Sequence, residues 1–143
     1  MKRIIKIYFA APITNKIPNL NLYSKIVKYL SHYGNVLNKR LGDRKFWKER
    51  KNKKFSEKEI HDFDLKLLLE SDVVVAEIST PSLGVGYEIG RAIERKKPLL
   101  CLYNKKMEKR ISKMILGVHG ITIRPYRTFT EIKSIIREFF NSL

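Results

Sequence analysis

The chain has 143 residues, with 30 Lys and Arg against 14 Asp and Glu and a formal net charge of +16. That length suits one domain with a sizeable core, and no apolar run approaches the ~20 residues of a membrane span. A single cysteine, Cys101, excludes an internal disulfide, and the start carries no signal-peptide pattern, so the expectation is a soluble, cytoplasmic protein. So basic a surface attracts anions, whether nucleotide, nucleic acid or acidic protein, or reflects biased composition.

Ile4 to Phe9 reads as a first strand, apolar enough to be central. A small-residue loop with two prolines runs from Ala10 to Pro18. Leu20 to Tyr33 has the spacing of an amphipathic helix (Leu22, Ile26, Val27, Leu30), with Asn19 or Asn21 as its cap and Gly34 at its end. Asn35 to Asn38 is a short second strand. The stretch from about 42 to 55 then crowds Arg44, Lys45, Lys48, Arg50, Lys51, Lys53 and Lys54 around Phe46 and Trp47. It reads as a mobile, solvated basic loop; a sharper alternative is a lid closing over an anionic ligand, with an aromatic ring stacked on a base. RNA binding is a third option, but no zinc spacing, RNA-recognition signature or helix-turn-helix accompanies it.

Ser56 with Glu59 forms an S-x-x-E capping box that predicts a helix to about Glu70. Val73, Val74 and Val75 mark a buried third strand over Asp72 to Ile78. Thr80, Pro81, Ser82 and Gly84 break it. A helix follows over Val85 to Arg95, then a strand over Pro98 to Tyr103 and a short helix over Lys109 to Leu116, with Gly117 at its end. A strand over Ile121 to Arg124 and a closing helix over Thr130 to Phe140 complete the chain. Strands alternating with helices predict one α/β domain over residues 1–143, with a parallel sheet of about five strands covered on both faces.

Glu88 stands just past the third strand's carboxyl end, where α/β sheets bind ligands. A glutamate in a first helical turn also simply complements the helix dipole. Gly84, Gly86 and Gly90 clear side chains from around it, for a ligand or for tight helix packing. Their G-x-G-x-x-x-G spacing is not the dinucleotide fingerprint, and no phosphate-binding G-x-x-x-x-G-K-[ST] loop exists, so nicotinamide cofactors and nucleoside triphosphatase chemistry are excluded. Asp64 lies among Phe63, Leu65, Leu67 and Leu68, where an unpaired carboxylate is costly; Asp62 reads as solvated. Asp72 is expected to cap a strand edge and Glu77 to have at most a minor site role. Ser82 is a helix N-cap or, with the following amides, an anion site. Ser112 reads as a helix cap, and Tyr8 as either core or cleft. His32, His61 and His119 lack metal-ligand spacing, and Cys101 reads as a small buried hydrophobe, so no metal is expected.

The segment S-D-V-V-V-A-E-I-S-T-P-S-L-G-V-G-Y-E-I-G-R-A-I, with I-Y-F before it, H-x-x-D-L ahead of the third strand and R-x-S-x-M-I after the fourth, resembles the 2′-deoxynucleoside 5′-monophosphate N-glycosidases, relatives of the nucleoside 2′-deoxyribosyltransferases. The resemblance implies a small Rossmann-like or flavodoxin-like domain and a homodimer that uses neither metal nor organic cofactor. It implies Glu88 as nucleophile and Asp64 as the second carboxylate. Tyr8, Ala10, Ile13, Ser82, Gly84, Ser112 and Met114 fall at substrate-binding positions, with Ser112 reaching the neighbouring subunit's site. The family's hydrolases carry a serine and an arginine for the 5′-phosphate where this chain has Pro12 and Thr14, and A-A-P-I looks more like a transferase loop; Lys16 or Arg40 would be a basic substitute. The implied function is hydrolysis of a nucleoside monophosphate's N-glycosidic bond. The alternatives are base exchange by a transferase and, more distantly, a non-catalytic nucleotide- or RNA-binding module.

Overall fold

The computed structural model describes residues 3–12, 19–42, 45, 48, 49 and 55–143. Five parallel strands form one sheet in the order β2-β1-β3-β4-β5. They are β1 (Lys6–Ala10), β2 (Asn35–Val36), β3 (Val73–Glu77), β4 (Leu99–Asn104) and β5 (Thr122–Tyr126). Between and after them lie helices α1 (Leu20–Leu30), α2 (Glu57–Glu70), α3 (Leu83–Glu94), α4 (Lys113–Leu116) and α5 (Phe129–Asn141), with 3₁₀ turns at Lys39–Gly42 and Lys105–Arg110. This strand order reverses direction between β1 and β3, the topological switch point at which such sheets open a crevice.

The period-2 geometry of a strand divides the side chains between two cores. Ile7, Phe9, Val73, Val75, Leu100 and Leu102 pack with Ile26, Leu30, Ile132 and Ile136 of α1 and α5. Tyr8, Val74, Ala76, Leu99 and Cys101 pack on the other face with Leu68 of α2 and Val85 and Ile89 of α3. Register ties the two central strands together, Tyr8 opposite Val74 and Phe9 opposite Val75. The Cys101 thiol lies in this second core, where burial pushes it up to about 12; it behaves as a small hydrophobe.

Local signals explain most helix starts. Ser56 and Glu59 close the expected capping box, Ser82 accepts the Val85 N–H at the start of α3, and Thr128 caps α5. Some expectations shift. Asn19 occupies the N-cap of α1 without a side-chain cap bond, and the helix ends at Leu30, three turn residues before Gly34. Gly34 is needed for another reason: a Cβ there would collide with the Ile5 backbone carbonyl beside β1. The expected single helix over Lys109 to Leu116 is split, because Ile111 turns into the core between a 3₁₀ turn and α4. Asp72 clasps the start of β1, accepting the Lys6 N–H at 2.8 Å and pairing with Arg3; the backbone bond, ahead of the ion pair, holds its carboxyl below the usual range.

Candidate active site

The crevice at the β1–β3 switch point is built from three elements. β1 contributes Tyr8, followed by Ala11 just past its end. The face of α2 contributes Ile60, His61, Asp64 and Leu65. The first turns of α3 contribute Ser82, Gly84, Tyr87 and Glu88 around a cavity of about 430 Å³. The central contact joins Tyr8, whose hydroxyl donates to Oε2 of Glu88. Burial pushes the Glu88 carboxyl up to about 7; the Tyr8 hydrogen bond opposes the rise, and the charge of Asp64 adds to it. Glu88 is therefore a desolvated carboxylate held by one hydroxyl and facing a second carboxylate across the cavity. A group so perturbed, in a cleft, is a candidate for a functional site.

Other site residues take varied places. Ser82 is both the α3 cap and a wall of the cavity, and Gly84 lines it. Ala10 is packed in the core at 1% exposure, and the next residue, Ala11, is the one at the cavity wall. Ile13, Thr14 and Lys16, like Phe46 and Trp47 of the supposed lid, lie outside the described residues. Arg40 pairs with Glu49 at 3.1 Å on the surface. Ser112 does not line the Glu88 cavity within its own chain. It borders a second cavity of about 550 Å³ across α3, with Arg110, Ile111 and Ser82. Met114 is 83% exposed beside that cavity's rim residues Ser112 and Ile115. Packing within the chain does not demand a glycine at any of the three positions: a Cβ at Gly84 would meet only Ser82 Oγ at 3.9 Å, and one at Gly86 or Gly90 would meet open space.

Two further groups stand out. Glu77 points to the opposite face of the sheet, fully buried. Its Oε1 accepts the Ser79 N–H at 2.7 Å, and its Oε2 accepts the Tyr126 hydroxyl at 2.5 Å and the Ser79 hydroxyl at 3.0 Å. His61 and Tyr87, inside the H-x-x-D-L and G-Y-E segments, meet at the cavity mouth, Nε2 to hydroxyl at 2.7 Å. Their signal was spacing from known candidates: His61 is one helical turn before Asp64, on the same face. Asp62 points away, accepting from Lys58 and His61. Among the described residues no group of three or more His, Cys, Asp or Glu gathers for a metal ion, and no helix is long and apolar enough to cross a membrane.

The family profile described as Nucleoside 2-deoxyribosyltransferase matches residues 7–123, from β1 through β5. The chain belongs to this family. Within the nucleoside 2-deoxyribosyltransferase family it is similar to proteins named 5-hydroxymethyl-dUMP N-hydrolase. The one from Danio rerio is 37% identical over 142 residues, covering 97% of this chain and 98% of that protein. The one from Tetraodon nigroviridis is 36% identical over 141 residues, covering 96% and 99%. Among solved structures, the Clostridium botulinum CMP N-glycosidase BcmB superposes with a TM-score of 0.67 at 18% identity, over 94% of this chain and 98% of that one. That likeness supports the same fold, a single α/β domain with a five-stranded parallel sheet.

Proposed function

We propose that this protein hydrolyses the N-glycosidic bond of (2′-deoxy)nucleoside 5′-monophosphates, releasing the free base and (deoxy)ribose 5-phosphate, with Glu88 as nucleophile. The observation that carries the reading is the Tyr8–Glu88–Asp64 constellation at the switch point, in a chain whose full-length relatives are named N-hydrolases.

Tyr8 holds Oε2 of Glu88, which leaves Oε1 to attack C1′ from the face opposite the base. The C1′–N bond breaks with its electron pair going to the base, and a glycosyl ester forms on Glu88. Water then attacks C1′, the ester carboxylate leaves, and a hydroxyl replaces the base. Two attacks give overall retention, the logic of glycosidases with two close carboxylates. Asp64 stabilises the developing oxocarbenium charge and binds the sugar. Ser82, at the junction of the two cavities, and the open α3 amides receive the 5′-phosphate. Arg110 and Ser112, which border the second cavity of their own chain, supply the partner chain's phosphate with the cation and hydroxyl that Pro12 and Thr14 do not.

The chain acts as a homodimer in which Ser112 completes the neighbour's site. Leu83, 96% exposed, lies on the open Gly86–Gly90 surface of α3, and Met114, 83% exposed, follows Ser112, giving apolar side chains suited to a second copy. Mixing a Glu88→Gln chain with a Ser112→Ala chain tests this, since only sites completed in trans regain turnover.

The decisive assay incubates the protein with ribo- and deoxyribonucleosides, with and without the 5′-phosphate, and separates products by chromatography. Free base with sugar phosphate is expected, and Glu88→Gln is expected to abolish it. A transferase reading is favoured by the A-A-P-I loop after β1; it requires that an added second base yield new nucleotide faster than free sugar phosphate.

A further inference from the structure

The His61–Tyr87–Arg91 cluster at the mouth of the Glu88 cavity is not used by the mechanism above. With His61 as a neutral imidazole, its hydrogen bonds take one polarity. Arg91 can only donate, and it reaches the Tyr87 hydroxyl at 2.8 Å. Asp62 as a carboxylate can only accept, and it meets His61 Nδ1 at 3.0 Å. Asp62 is kept ionised by Lys58 first and His61 second, which together hold its carboxyl below the usual range. The Nδ1 of a neutral imidazole thus carries the hydrogen, Nε2 is the acceptor, and the Tyr87 hydroxyl donates to it across 2.7 Å. The phenol oxygen then has its proton turned to His61, one lone pair on Arg91, and one lone pair left.

The place of that lone pair matters. Glu88 and Asp64 claim the sugar and Ser82 with Gly84 the phosphate, so the remaining described wall, Ala11, Glu57, Ile60, His61, Leu65, Val85 and Tyr87, is where a base can lie. The wall is apolar apart from the Glu57 carboxylate and the His61 and Tyr87 rings, whose centroids are 5.5 Å apart. Arg91, one turn further along the same helix, sits 5.7 Å from the Tyr87 ring centroid. Tyr87 is thus held by one partner on α2 and one on its own helix, which preorganises its ring and hydroxyl.

We propose that the His61–Tyr87–Arg91 cluster reads the leaving base, the fixed Tyr87 hydroxyl accepting a hydrogen bond from an exocyclic amino or hydroxyl group and so favouring bases that carry such a donor. The inference rests on the N-glycosidase reading for the orientation of the substrate. His61 and Arg91 act as positioning residues, because they set which way the Tyr87 proton points.

The test compares two deoxynucleoside monophosphates that differ at one base edge, dCMP with its amino donor and dUMP with a carbonyl acceptor there. Tyr87→Phe keeps the ring and removes the lone pair, and the dCMP-to-dUMP ratio of kcat/KM is expected to fall by up to about tenfold, the worth of one hydrogen bond. His61→Phe removes the acceptor that holds the Tyr87 proton, so the hydroxyl can donate into the cavity, and the ratio is expected to move toward dUMP as well. An arrangement in which the cluster only stiffens the two helices lowers both substrates equally; an unchanged ratio in both variants overturns the proposal. If wild-type protein turns over neither nucleotide, or Glu88→Gln leaves turnover intact, the N-glycosidase reading fails instead. The same ratio measured as dissociation constants of dCMP and dUMP by calorimetry then decides the base contact, an unchanged ratio on Tyr87→Phe again overturning it.

Discussion

Glu77 ends β3 and Glu88 lies in the second turn of α3, on opposite faces of the sheet; Glu77 is fully buried and Glu88 half-buried, and burial raises both carboxyls above the ordinary range. Their surroundings differ completely. Glu77 takes three donors, from Ser79 twice and from Tyr126, and Ser79 in turn accepts the Asn104 N–H at 2.7 Å. It stitches the carboxyl ends of β3, β4 and β5 into one satisfied network. Glu88 has the Tyr8 hydroxyl and a repelling neighbour, Asp64, at the edge of an open cavity. Burial alone therefore does not mark a reactive carboxylate. What distinguishes Glu88 is burial without full satisfaction, a state that costs stability and is retained at functional sites.

The largest expected effect separates the two by turnover. Glu88→Gln should reduce base release by about 10⁴-fold or more, as loss of a nucleophile does. Glu77→Gln should keep most activity, because its amide oxygen still accepts the Ser79 N–H. Comparable losses in the two variants, measured by product chromatography, would erase the distinction.

Stability should reverse the ranking. Glu77→Ala strands three donors and is expected to cost about 3 kcal/mol in urea unfolding. Glu88→Gln should instead stabilise. A folded-state carboxyl near 7, above the unfolded value near 4.3, favours folding at low pH and loses that contribution as pH rises through 7. The gain on replacing it is therefore present at pH 8, on the order of 1–3 kcal/mol, and fades by pH 5. A Glu88→Gln protein less stable than wild type at pH 8 would show that the carboxylate is satisfied after all.

The smallest effects concern the pH profile. Glu88 must be ionised to act as the proposed nucleophile, so kcat/KM should fall as pH drops below about 7. Asp64→Asn should move that limb to lower pH by removing a repelling charge, and Tyr8→Phe should move it higher by removing a stabilising donor. Shifts of the opposite sign would dissociate the limb from Glu88.

Much of this fold is legible in the residues. The Val73–Val75 run, the I-Y-F strand and the Ser56–Glu59 box each encode their element locally, which is why β1, β3 and α2 stand where expected. Errors arise where tertiary packing decides: Ile111 is drawn into the core and splits a helix, and Gly34 answers to the Ile5 carbonyl instead of ending α1. The site follows the same rule. Glu88 was visible from its position past a strand, but its contact with Tyr8 depends on the β1–β3 register, which no local pattern encodes. Glu77 read as a residue near the site because strand-end position does not reveal which face a side chain takes until register is known. Tyr87 and His61 each read alone as an ordinary surface aromatic; only the packing of α2 on α3 joins them.

The central claim is that Glu88 bonds covalently to the sugar. Incubation with a 2′-fluoro-substituted nucleoside 5′-monophosphate, whose electron-withdrawing fluorine slows hydrolysis of a glycosyl ester, followed by intact-mass and peptide mapping, addresses it directly. The account predicts one added sugar phosphate per chain, carried by the peptide at Glu88 and absent from the Glu88→Gln protein. An adduct on Asp64, or steady base release from the natural substrate by the Glu88→Gln protein, would contradict it.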